Sequence, residues 1–541
     1  MTNNDIVQKL WNLCDVLRDD GINYSDYVTE LVLLLFIKME YENTEAGLLN
    51  EHKLPEGCRW PDLSNKSGLN LLNDYRHILL ALATGKDADG NTVVTDPLIL
   101  AIYADAQTRL REPRHLEQLI KSLDGIDWFS ARRDGLGDLY EGLLEKNASE
   151  TKSGAGQYFT PRPLIDSIIR CTQPQAGEVI QDPAAGTAGF LIAADAYIKS
   201  QTDELYDLNE KAQAFQRNKA FVGMELVPGT RRLALMNCLL HGMEGDNEGV
   251  VHLGNTLGLP GTQLSPADVI LTNPPFGTAK GGGGPTRDDF TYKTSNKQLA
   301  FLQHIYRSLK PGGRAAVVLP DNVLFEAGVG TDIRRDLMHK CNLHTILRLP
   351  TGIFYAQGVK TNVLFFSKGT TENPQQDENS TRQVWVYDCR TNMPSFGKRT
   401  PFTDQYLKPF EDCFHAKERK EADGTISDSI DTSEDADSQT RWRCFSRDWI
   451  NTQKGDSLDI AWLKDQDSVD AASLPEPDVL AAEAMSELTE ALRELTNLMQ
   501  ALGAGDQAQA QTDLLAEVLG LGGVIKSAGI LTQHYAAIAV F

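Results

Sequence analysis

The chain has 541 residues, too many for one compact core, so two or three domains are expected. Apolar residues make up 41% and charged residues 23%, as in ordinary globular proteins, and no apolar run approaches the roughly 20 residues of a membrane span. The formal net charge of −23 is the opposite of what a chain needs to grip nucleic acid alone. Either the ligand is not nucleic acid, or a partner supplies the positive charge.

The eight cysteines are scattered singly, without a CxxC pair or a His-rich companion. This pattern indicates a reducing cytoplasm and argues against a disulfide framework and a structural zinc site. The start of the chain also lacks the basic, apolar and small-residue regions of a signal peptide. We therefore expect a cytoplasmic protein with neither a metal site nor a membrane segment.

Residues 1–150 are predicted to form a helical N-terminal domain. Apolar residues recur at helical spacing in two runs, Ile6, Leu10, Leu13 and Leu17, followed by Tyr27, Leu31, Leu34 and Lys38. The texture changes near residue 151, where β-rich runs alternate with helix-length segments. These predicted strands are 178–182, 220–225, 267–272, 314–320, 345–349 and 362–368. The alternation predicts an α/β domain over 151–370, with βαβ units and a largely parallel sheet.

Two further regions follow the predicted α/β domain. Residues 371–472 are expected to be an irregular extension, in which 423–438 carry six acids, no base and the character of a solvated loop. Residues 473–541 are expected to be helical. Their apolar residues alternate at spacings of three and four, at Met485, Leu488, Leu492, Leu495, Met499 and Leu502. This seam fits a short coiled coil, and equally a core helix of a small bundle. The apolar tail, 529–541, has no interpretation.

The first chemical motif is DPAAGTAGF, residues 182–190. A strand is predicted to end at Asp182 and a helix to start near Phe190, with a turn of small residues between them. Gly186 and Gly189 let the backbone approach a ligand closely, and a helix N-terminus offers free N–H groups. The pattern is neither GxGxxG nor a phosphate-binding P-loop. By itself, such a turn is as often a plain strand–helix connection.

An acid follows at the end of the next predicted strand. Glu225 lies about forty residues after Asp182, in the next βα unit. A carboxylate at this place can accept hydrogen bonds from both ribose hydroxyls of an adenosine-type cofactor. An acid at a strand end is usually only solvated, so this interpretation depends on the neighbouring motif.

The third motif is NPPF, residues 273–276, at the end of the predicted buried strand 267–272. The amine of a nucleobase is a poor nucleophile because its lone pair is delocalised into the ring. The side-chain oxygen of Asn273 and the carbonyl of Pro274 could accept its two N–H bonds and free that lone pair for attack. Proline fixes φ, which holds both acceptors in place. Phe276 offers a face on which a flipped base can stack. A simple Pro-Pro stop explains Pro274 and Pro275 but not their neighbours.

With these motifs in order, the chain resembles the γ class of S-adenosylmethionine-dependent DNA amino-methyltransferases. QYFTPRPLI, residues 157–165, is similar to their remaining cofactor motif. More narrowly, the chain resembles the modification subunits of type I restriction–modification systems, and within them the K-like enterobacterial family. The resemblance rests on further blocks at 3–24, 150–164, 224–241 and 347–366. It implies a Rossmann-like methyltransferase domain that acts on N6 of adenine.

The resemblance also implies roles for individual residues. Asn273, Pro274, Pro275 and Phe276 would hold the target adenine. S-adenosylmethionine would be bound by Gln157, Tyr158, Phe159, Thr160, Pro161, Arg162, Asp182, Gly186, Thr187, Ala188, Gly189 and Glu225. Asn255 stands where related enzymes often place an acid beside the cofactor's adenine, so that contact is left open. No metal takes part.

Partners are implied in the same way. Such modification subunits do not read sequence themselves, since a separate specificity subunit carries the target-recognition domains. Two modification subunits are expected for each specificity subunit, because a bipartite target presents one adenine on each strand. A restriction subunit would complete the complex, and double-stranded DNA would be bound through it. The net charge agrees with this division, and the seam at 485–502 is a candidate docking surface.

Two alternatives stay open on the sequence alone. One is a self-contained enzyme that methylates ribosomal RNA or a protein glutamine, since these substrates also present amines to an NPP[FY] motif. Such enzymes are usually shorter and form a single domain. The other is a scaffold that keeps the cofactor fold without activity, which the intact NPPF and glycine turn argue against.

Overall fold

The computed structural model divides the chain into Met1–Leu463 and Lys464–Phe541. It describes residues 3–23, 26–47, 51–126, 128, 136–150, 160–277, 285–354, 359–394, 396–397, 400–422 and 441–463. Three predicted features therefore lie outside the described residues: the cofactor contacts Gln157 to Phe159, the acidic loop 423–438 and the helical region 473–541, which includes the seam 485–502. In the part of the chain that the structure describes, no helix has both the length and the apolarity to cross a membrane.

Helices account for most of the structure up to residue 150, as predicted. They are α1 Asn3–Asn12, α2 Cys14–Asp19, α3 Tyr27–Glu45, α4 Trp60–Ser64, α5 Gly68–Thr84, α6 Pro97–Tyr103, α7 Pro113–Asp124 and α8 Leu136–Glu150. The first predicted run is split between α1 and α2 at Leu13, while the second is α3. Helix α3 is buried almost all round, and its buried Lys38 binds Glu42 at 3.0 Å and Asp124 at 2.8 Å.

The remainder of the described chain is built on one nine-stranded sheet. Its strands are β1 Ile180–Asp182, β2 Phe221–Glu225, β3 Val251–Leu253, β4 Ala267–Thr272, β5 Leu309–Pro320, β6 Cys341–Arg348, β7 Thr361–Lys368, β8 Gln383–Asp388 and β9 Trp442–Ser446. Their spatial order is β3-β2-β1-β4-β5-β7-β6-β8-β9. The first five strands are parallel to one another, and β7 runs antiparallel between β5 and β6.

This sheet confirms the predicted α/β class and contains all six predicted strands. The expectation of a largely parallel sheet holds for one part of it, the five neighbouring strands β3-β2-β1-β4-β5. Beyond β5 the sheet is mixed, since β8 is parallel to β6 but antiparallel to β9. Strands β3, β8 and β9 were not predicted, and the last two place part of the supposedly irregular region 371–472 in the sheet.

Helices cover both faces of the sheet. They are α9 Arg162–Thr172, α10 Gly189–Gln201, α11 Glu210–Asn218, α12 Pro228–Leu240, α13 Lys297–Ser308, α14 Asn322–Phe325, α15 Val329–Lys340, α16 Lys408–Ala422 and α17 Arg447–Lys454. Strand β4 shows the layering, because Val269 and Leu271 belong to one hydrophobic core and Ile270 to the other. The first core also contains the N-terminal helices, so both parts share one apolar interior.

The strand order places a ligand crevice. From β1 the chain moves outward to β2 and β3, and then returns to the other side of β1 to form β4 and β5. In open α/β sheets, ligands bind outside the carboxyl ends of the strands where the order reverses in this way. The expected crevice therefore lies at the carboxyl ends of β1 and β4.

Candidate active site at the carboxyl edge of the sheet

The three predicted motifs end neighbouring parallel strands. Asp182 is the last residue of β1, Glu225 is the last residue of β2, and Asn273 directly follows β4. Because β1 pairs in parallel with both β2 and β4, these residues lie at the same edge of the sheet. We call this the carboxyl edge. The fold thus brings together motifs that are about ninety residues apart in the chain.

The glycine turn leaves room for a ligand. Gly186 has a φ of +55°, and a Cβ added there would meet no heavy atom within 4 Å. Ala188 also adopts the left-handed region, with a φ of +70°, directly before α10 begins at Gly189. Such a conformation is uncommon for a residue other than glycine. The carbonyl of Thr187 accepts a hydrogen bond from the Asn237 side chain at 3.0 Å, which fixes the turn from below.

Asp182 forms a hydrogen bond with the backbone of this turn. Its side chain is buried, and one carboxylate oxygen accepts the N–H of Ala184 at 3.0 Å. Burial raises the pKa of Asp182 to about 7, although the hydrogen bond from the Ala184 N–H acts to lower it. The buried carboxyl of Asp182 therefore holds the first residues of the turn through the N–H of Ala184.

Glu225 is already oriented by backbone groups. One carboxylate oxygen accepts the N–H of Gly186 at 3.1 Å, and the other accepts the N–H of Val227 at 2.8 Å. Burial raises the pKa of this carboxyl above its ordinary value. Each carboxylate oxygen can accept a further hydrogen bond, so both remain able to bind ribose hydroxyls. A hydrogen bond therefore joins the glycine turn to Glu225, and their shared role in binding a cofactor stays a prediction.

Apolar side chains stand exposed beside Glu225, and the sequence analysis did not single them out. Leu226 is 61% exposed, Val227 42% and Leu253, at the end of β3, 48%. A planar adenine ring is a suitable partner for such a surface. The available signal was the pair of apolar residues directly after an acid at a strand end.

The side chain of Asn255 forms a hydrogen bond within the loop that follows β3. Its side-chain oxygen accepts the N–H of Leu257 at 3.0 Å and closes a turn after β3. The next residue, Thr256, donates its hydroxyl to the carbonyl of Pro183 at 2.5 Å. The loop after β3 is therefore tied to the glycine turn, and whether Asn255 contacts a cofactor stays open.

Asn273 is held by a residue from the other predicted cofactor motif. Its side-chain nitrogen donates a hydrogen bond to the buried hydroxyl of Thr160 at 2.9 Å. Pro274 is buried, while Pro275 and Phe276 are half-buried. The Phe276 ring meets Phe354 edge to face, with 6.3 Å between centroids and an interplanar angle of 72°. Phe354, which follows β6, is a second residue that the sequence analysis missed.

The remaining described residues of the predicted cofactor motif begin α9. Pro161 precedes the helix, and the guanidinium of its first residue, Arg162, is bound by Asp166 at 2.9 Å and by Glu141. These ion pairs fix the start of α9 against α8. Of the predicted contacts in this segment, Thr160 is the one whose side chain the structure joins to the NPPF motif.

Three side chains among the described residues lie close enough together to hold a metal ion. One group, Asp138, Glu141 and His241, has ligand atoms within 4.8 Å of one another. Glu141 is already paired with Arg162, and His241 contacts Asp138 at 3.6 Å. The group belongs to the packing of α8 against α12 and we assign no ion to it.

Family comparisons match nearly every region of the chain. A model described as N-6 DNA Methylase matches residues 131–441, more than half of the chain. A model of the HsdM N-terminal domain matches residues 6–123. A model described as Type I restriction enzyme methylase subunit, C-terminal domain, matches residues 474–517.

Full-length relatives give the same result. The type I restriction enzyme StySPI methylase subunit of Salmonella potsdam is 58% identical, over 96% of this chain and 99% of its own length. The EcoKI methylase subunit of Escherichia coli strain K12 is 58% identical, with the same coverage.

Solved structures agree with these sequence matches. The crystal structure of the EcoKI M protein has 53% identity and a TM-score of 0.53, covering 95% of this chain and 99% of its own. A structure from a study of complex assembly and conformational transition in a type I R-M system has 25% identity and a TM-score of 0.67. It covers 93% of this chain and 99% of its own.

Proposed function

This chain belongs to the type I restriction enzyme methylase subunits of the N-6 DNA methylase family, and from that premise we propose how its carboxyl edge works. As a member of the family it is an adenine-specific DNA methyltransferase, and the resemblance to the K-like enterobacterial group is confirmed. In the proposed site, the glycine turn and Glu225 hold S-adenosylmethionine, and Asn273 to Phe276 hold the target adenine. The observation that supports this most is the meeting of these motifs at one edge, on either side of the strand-order reversal.

The cofactor half of the site is preformed. Glu225 accepts hydrogen bonds from the ribose hydroxyls, because each of its carboxylate oxygens has one backbone N–H partner and can accept a second hydrogen bond. Open space at Gly186 admits the cofactor close to the backbone. Leu226 and Leu253 supply apolar surface for its adenine ring. When bound, S-adenosylmethionine supplies a methyl group that carries the electrophilic character of its sulfonium.

The base half of the site activates an amine. The nitrogen of the Asn273 side chain is engaged by Thr160, so the oxygen faces away from Thr160 and can accept an N–H of the adenine amine. The carbonyl of Pro274 accepts the second N–H, and Phe276 stacks on the ring. Two acceptors on one amine favour a tetrahedral nitrogen, whose lone pair is then directed at the methyl group.

The bond changes follow from this geometry. When bound, S-adenosylmethionine would supply the methyl carbon and keep the electron pair of the carbon–sulfur bond on its sulfur, while Asn273 and Pro274 would hold the adenine nitrogen that takes up the carbon. The nitrogen then loses one proton. An amide oxygen and a backbone carbonyl accept hydrogen bonds without taking up a proton at neutral pH, so the proton passes to water.

Sequence recognition is assigned to partners. The net charge of −23 opposes tight binding of duplex DNA by this chain alone. We propose that a specificity subunit chooses a bipartite target and binds two copies of this chain, and that a restriction subunit joins the full complex. The seam at 485–502 is the proposed docking surface for the specificity subunit.

The alternative of a self-contained RNA or protein-glutamine methyltransferase is not favoured. The relatives that match over nearly the full length are subunits of type I restriction enzymes.

All eight cysteines of the chain lie in its described part and are free thiols, which suits the reducing compartment in which we place the protein.

The test is a map of N6-methyladenine in a host that carries this chain and its specificity subunit. We expect modification of one adenine on each strand of a single bipartite sequence, lost when either gene is deleted. Methylation of ribosomal RNA or of a protein glutamine, without any change in the DNA, would favour the alternative.

A further inference from the structure

Phe325 is an aromatic residue at the carboxyl edge that has no role in the account above. Strand β5 pairs in parallel with β4, with Thr272 opposite Val317, so both strands end at this edge. Pro320 ends β5, and the short helix α14 follows, with Phe325 as its last residue. Phe325 therefore comes directly after the strand that neighbours the one ending in NPPF.

The turn formed by residues 325–329 is apolar on its outer side. Phe325 is 52% exposed and Val329 39%, and Ala327 and Gly328 between them are also exposed. Gly328 has a φ of +62°, and a Cβ added there would meet no heavy atom within 4 Å. We call residues 325–329 the tip. Apolar residues scattered singly over a surface are ordinary, whereas two in one turn indicate a binding surface.

A buried arginine holds the base of the tip. Arg334, on α15, is only 1% exposed. Its Nη1 donates to the carbonyls of Val323 at 3.1 Å and Glu326 at 2.8 Å, and its Nε donates to the carbonyl of Asp456 at 2.8 Å. Burying a guanidinium costs free energy that these hydrogen bonds must offset. The backbone on both sides of Phe325 is thus fixed, so the exposed ring stands on a rigid support.

A lysine lies on each side of the tip. Lys360 is exposed, and its carbonyl accepts the N–H of Asp321, directly before α14, at 2.9 Å. Lys297 is the first residue of α13, and the side chain of Asn296 before it donates to the carboxylate of Glu326 at 2.6 Å. The carboxylates of Asp321 and Glu326 are both engaged by protein groups. An apolar tip between two cations matches duplex DNA, whose stacked bases are apolar and whose backbone is anionic.

The position of the tip indicates what it does to that duplex. A target adenine must leave the base stack to reach NPPF, and unstacking costs free energy. Proteins that distort DNA offset this cost by inserting apolar side chains such as phenylalanine between bases. We propose that Phe325 enters the duplex beside the target adenine and fills the space that the flipped base leaves, while Lys297 and Lys360 bind the flanking phosphates. This inference rests on the proposed function of the NPPF motif.

The first experiment measures single-turnover methyl transfer by the assembled complex of this chain with its specificity subunit. On a fully paired target, Phe325→Ala should lower the rate about 5- to 150-fold, the usual effect of removing an aromatic side chain that stacks on a base. With an abasic site opposite the target adenine, the base is already unpaired, and the variant should come within about twofold of the wild type. Phe325→Trp keeps an aromatic ring and should keep the wild-type rate.

The second experiment observes the flipped base directly, with 2-aminopurine in place of the target adenine. This base fluoresces more strongly when it leaves the stack, so binding of the wild-type complex should raise its emission. Phe325→Ala should give a smaller rise on the paired duplex. Tyr206→Ala is the matched control, because Tyr206 is 80% exposed and follows the end of α10, the helix that begins at the carboxyl edge and runs away from it. It should give the wild-type rise.

The lysines are tested through the salt dependence of DNA binding. Lys297→Gln and Lys360→Gln should each reduce the slope of log affinity against log salt concentration by about 1, the value for one lost phosphate contact. Lys219→Gln is the control, since this exposed lysine lies just before β2 begins, at the opposite edge of the sheet. Unchanged slopes in both test variants would show that the tip does not lie against the DNA backbone.

The outcomes separate this inference from the proposed function. Wild-type rate and emission in Phe325→Ala, or an equal loss of rate on paired and unpaired targets, would show that Phe325 does not open the duplex. Failure of Phe325→Ala to assemble in size-exclusion chromatography would show that the tip binds the specificity subunit instead of DNA. If the wild-type complex methylates no DNA, the proposed function fails, and the role of Phe325 fails with it.

Discussion

The side-chain nitrogen of Asn273 donates a hydrogen bond to the hydroxyl of Thr160 across 2.9 Å. Asn273 directly follows β4, and Thr160 lies just before α9, so the contact joins two segments that are far apart in the chain. It gives the carboxamide one orientation, with the nitrogen toward the protein and the oxygen toward the other side. The direction in which Asn273 presents its oxygen is therefore part of the site.

Replacing Thr160 with valine should slow methyl transfer without removing Asn273. The variant loses one hydrogen bond, worth about 0.5–1.5 kcal/mol, so we expect a roughly two- to tenfold lower single-turnover rate. Thr172→Val is the matched control, because that buried hydroxyl donates to the carbonyl of Ile168 at 2.8 Å, at the far end of the same helix. Equal rates for Thr160→Val and Thr172→Val would show that the orientation of Asn273 does not matter.

Glu225→Gln should weaken cofactor binding. Neutralising a charged acceptor of two hydrogen bonds costs roughly 1–3 kcal/mol of binding free energy, measured by titration calorimetry. Because burial raises the pKa of Glu225, wild-type affinity should fall as the pH is lowered toward that pKa, whereas the glutamine variant should stay flat. Glu178→Gln, on the opposite edge of the sheet, is the control. Unchanged affinity in Glu225→Gln would place the ribose elsewhere.

Asp182 makes the stability of the chain depend on pH. Its pKa is raised from 3.8 to about 7, so between these values the folded state holds a proton that the unfolded state has lost. The contribution of Asp182 to stability must therefore decrease as the pH rises through that interval. Denaturant unfolding without cofactor should show the stability of the wild type falling relative to that of Asp182→Asn as the pH rises from 4 to about 7. A difference that is constant with pH would mean that Asp182 titrates normally.

The seam in the C-terminal region can be tested through assembly. Replacing Leu488, Leu492 and Leu495 with glutamine should reduce complex formation with the specificity subunit, because a coiled-coil seam depends on its apolar residues. Cofactor binding by the chain should be unaffected. Glu490→Gln with Asn497→Gln, off the seam, is the control. Normal assembly of the triple variant in size-exclusion chromatography would remove the seam as a docking surface.

Local sequence signals predicted six of the nine strands and the motifs that follow three of them. Each predicted strand is an apolar run. The parallel sheet places three motifs at one edge, those at the ends of the predicted strands 178–182, 220–225 and 267–272. Strand β3, Val251–Leu253, was not predicted, and its parallel pairing with β2 is what makes this short segment a strand. Strands β8 and β9 were missed because they follow loop-like sequence, and their pairing is what makes them strands.

The contacts inside the site were harder to predict, since they depend on tertiary proximity. Thr160 was expected to touch the cofactor, and only the fold brings its hydroxyl to Asn273, 113 residues away in sequence. Phe354 is a similar case, because the Phe276 ring that it contacts lies 78 residues away in sequence. No periodicity or motif marks such residues.

The most direct test of the account is the single-turnover rate of methyl transfer to adenine N6 in Asn273→Ala, in complex with the specificity subunit. Removing one of two oriented acceptors should lower the rate by about 10²- to 10³-fold, as for other transition-state hydrogen-bonding groups. Affinity for S-adenosylmethionine, measured on the same preparation, should stay near the wild-type value because Asn273 faces the base. A wild-type rate in Asn273→Ala would contradict the proposal that this motif holds the adenine amine.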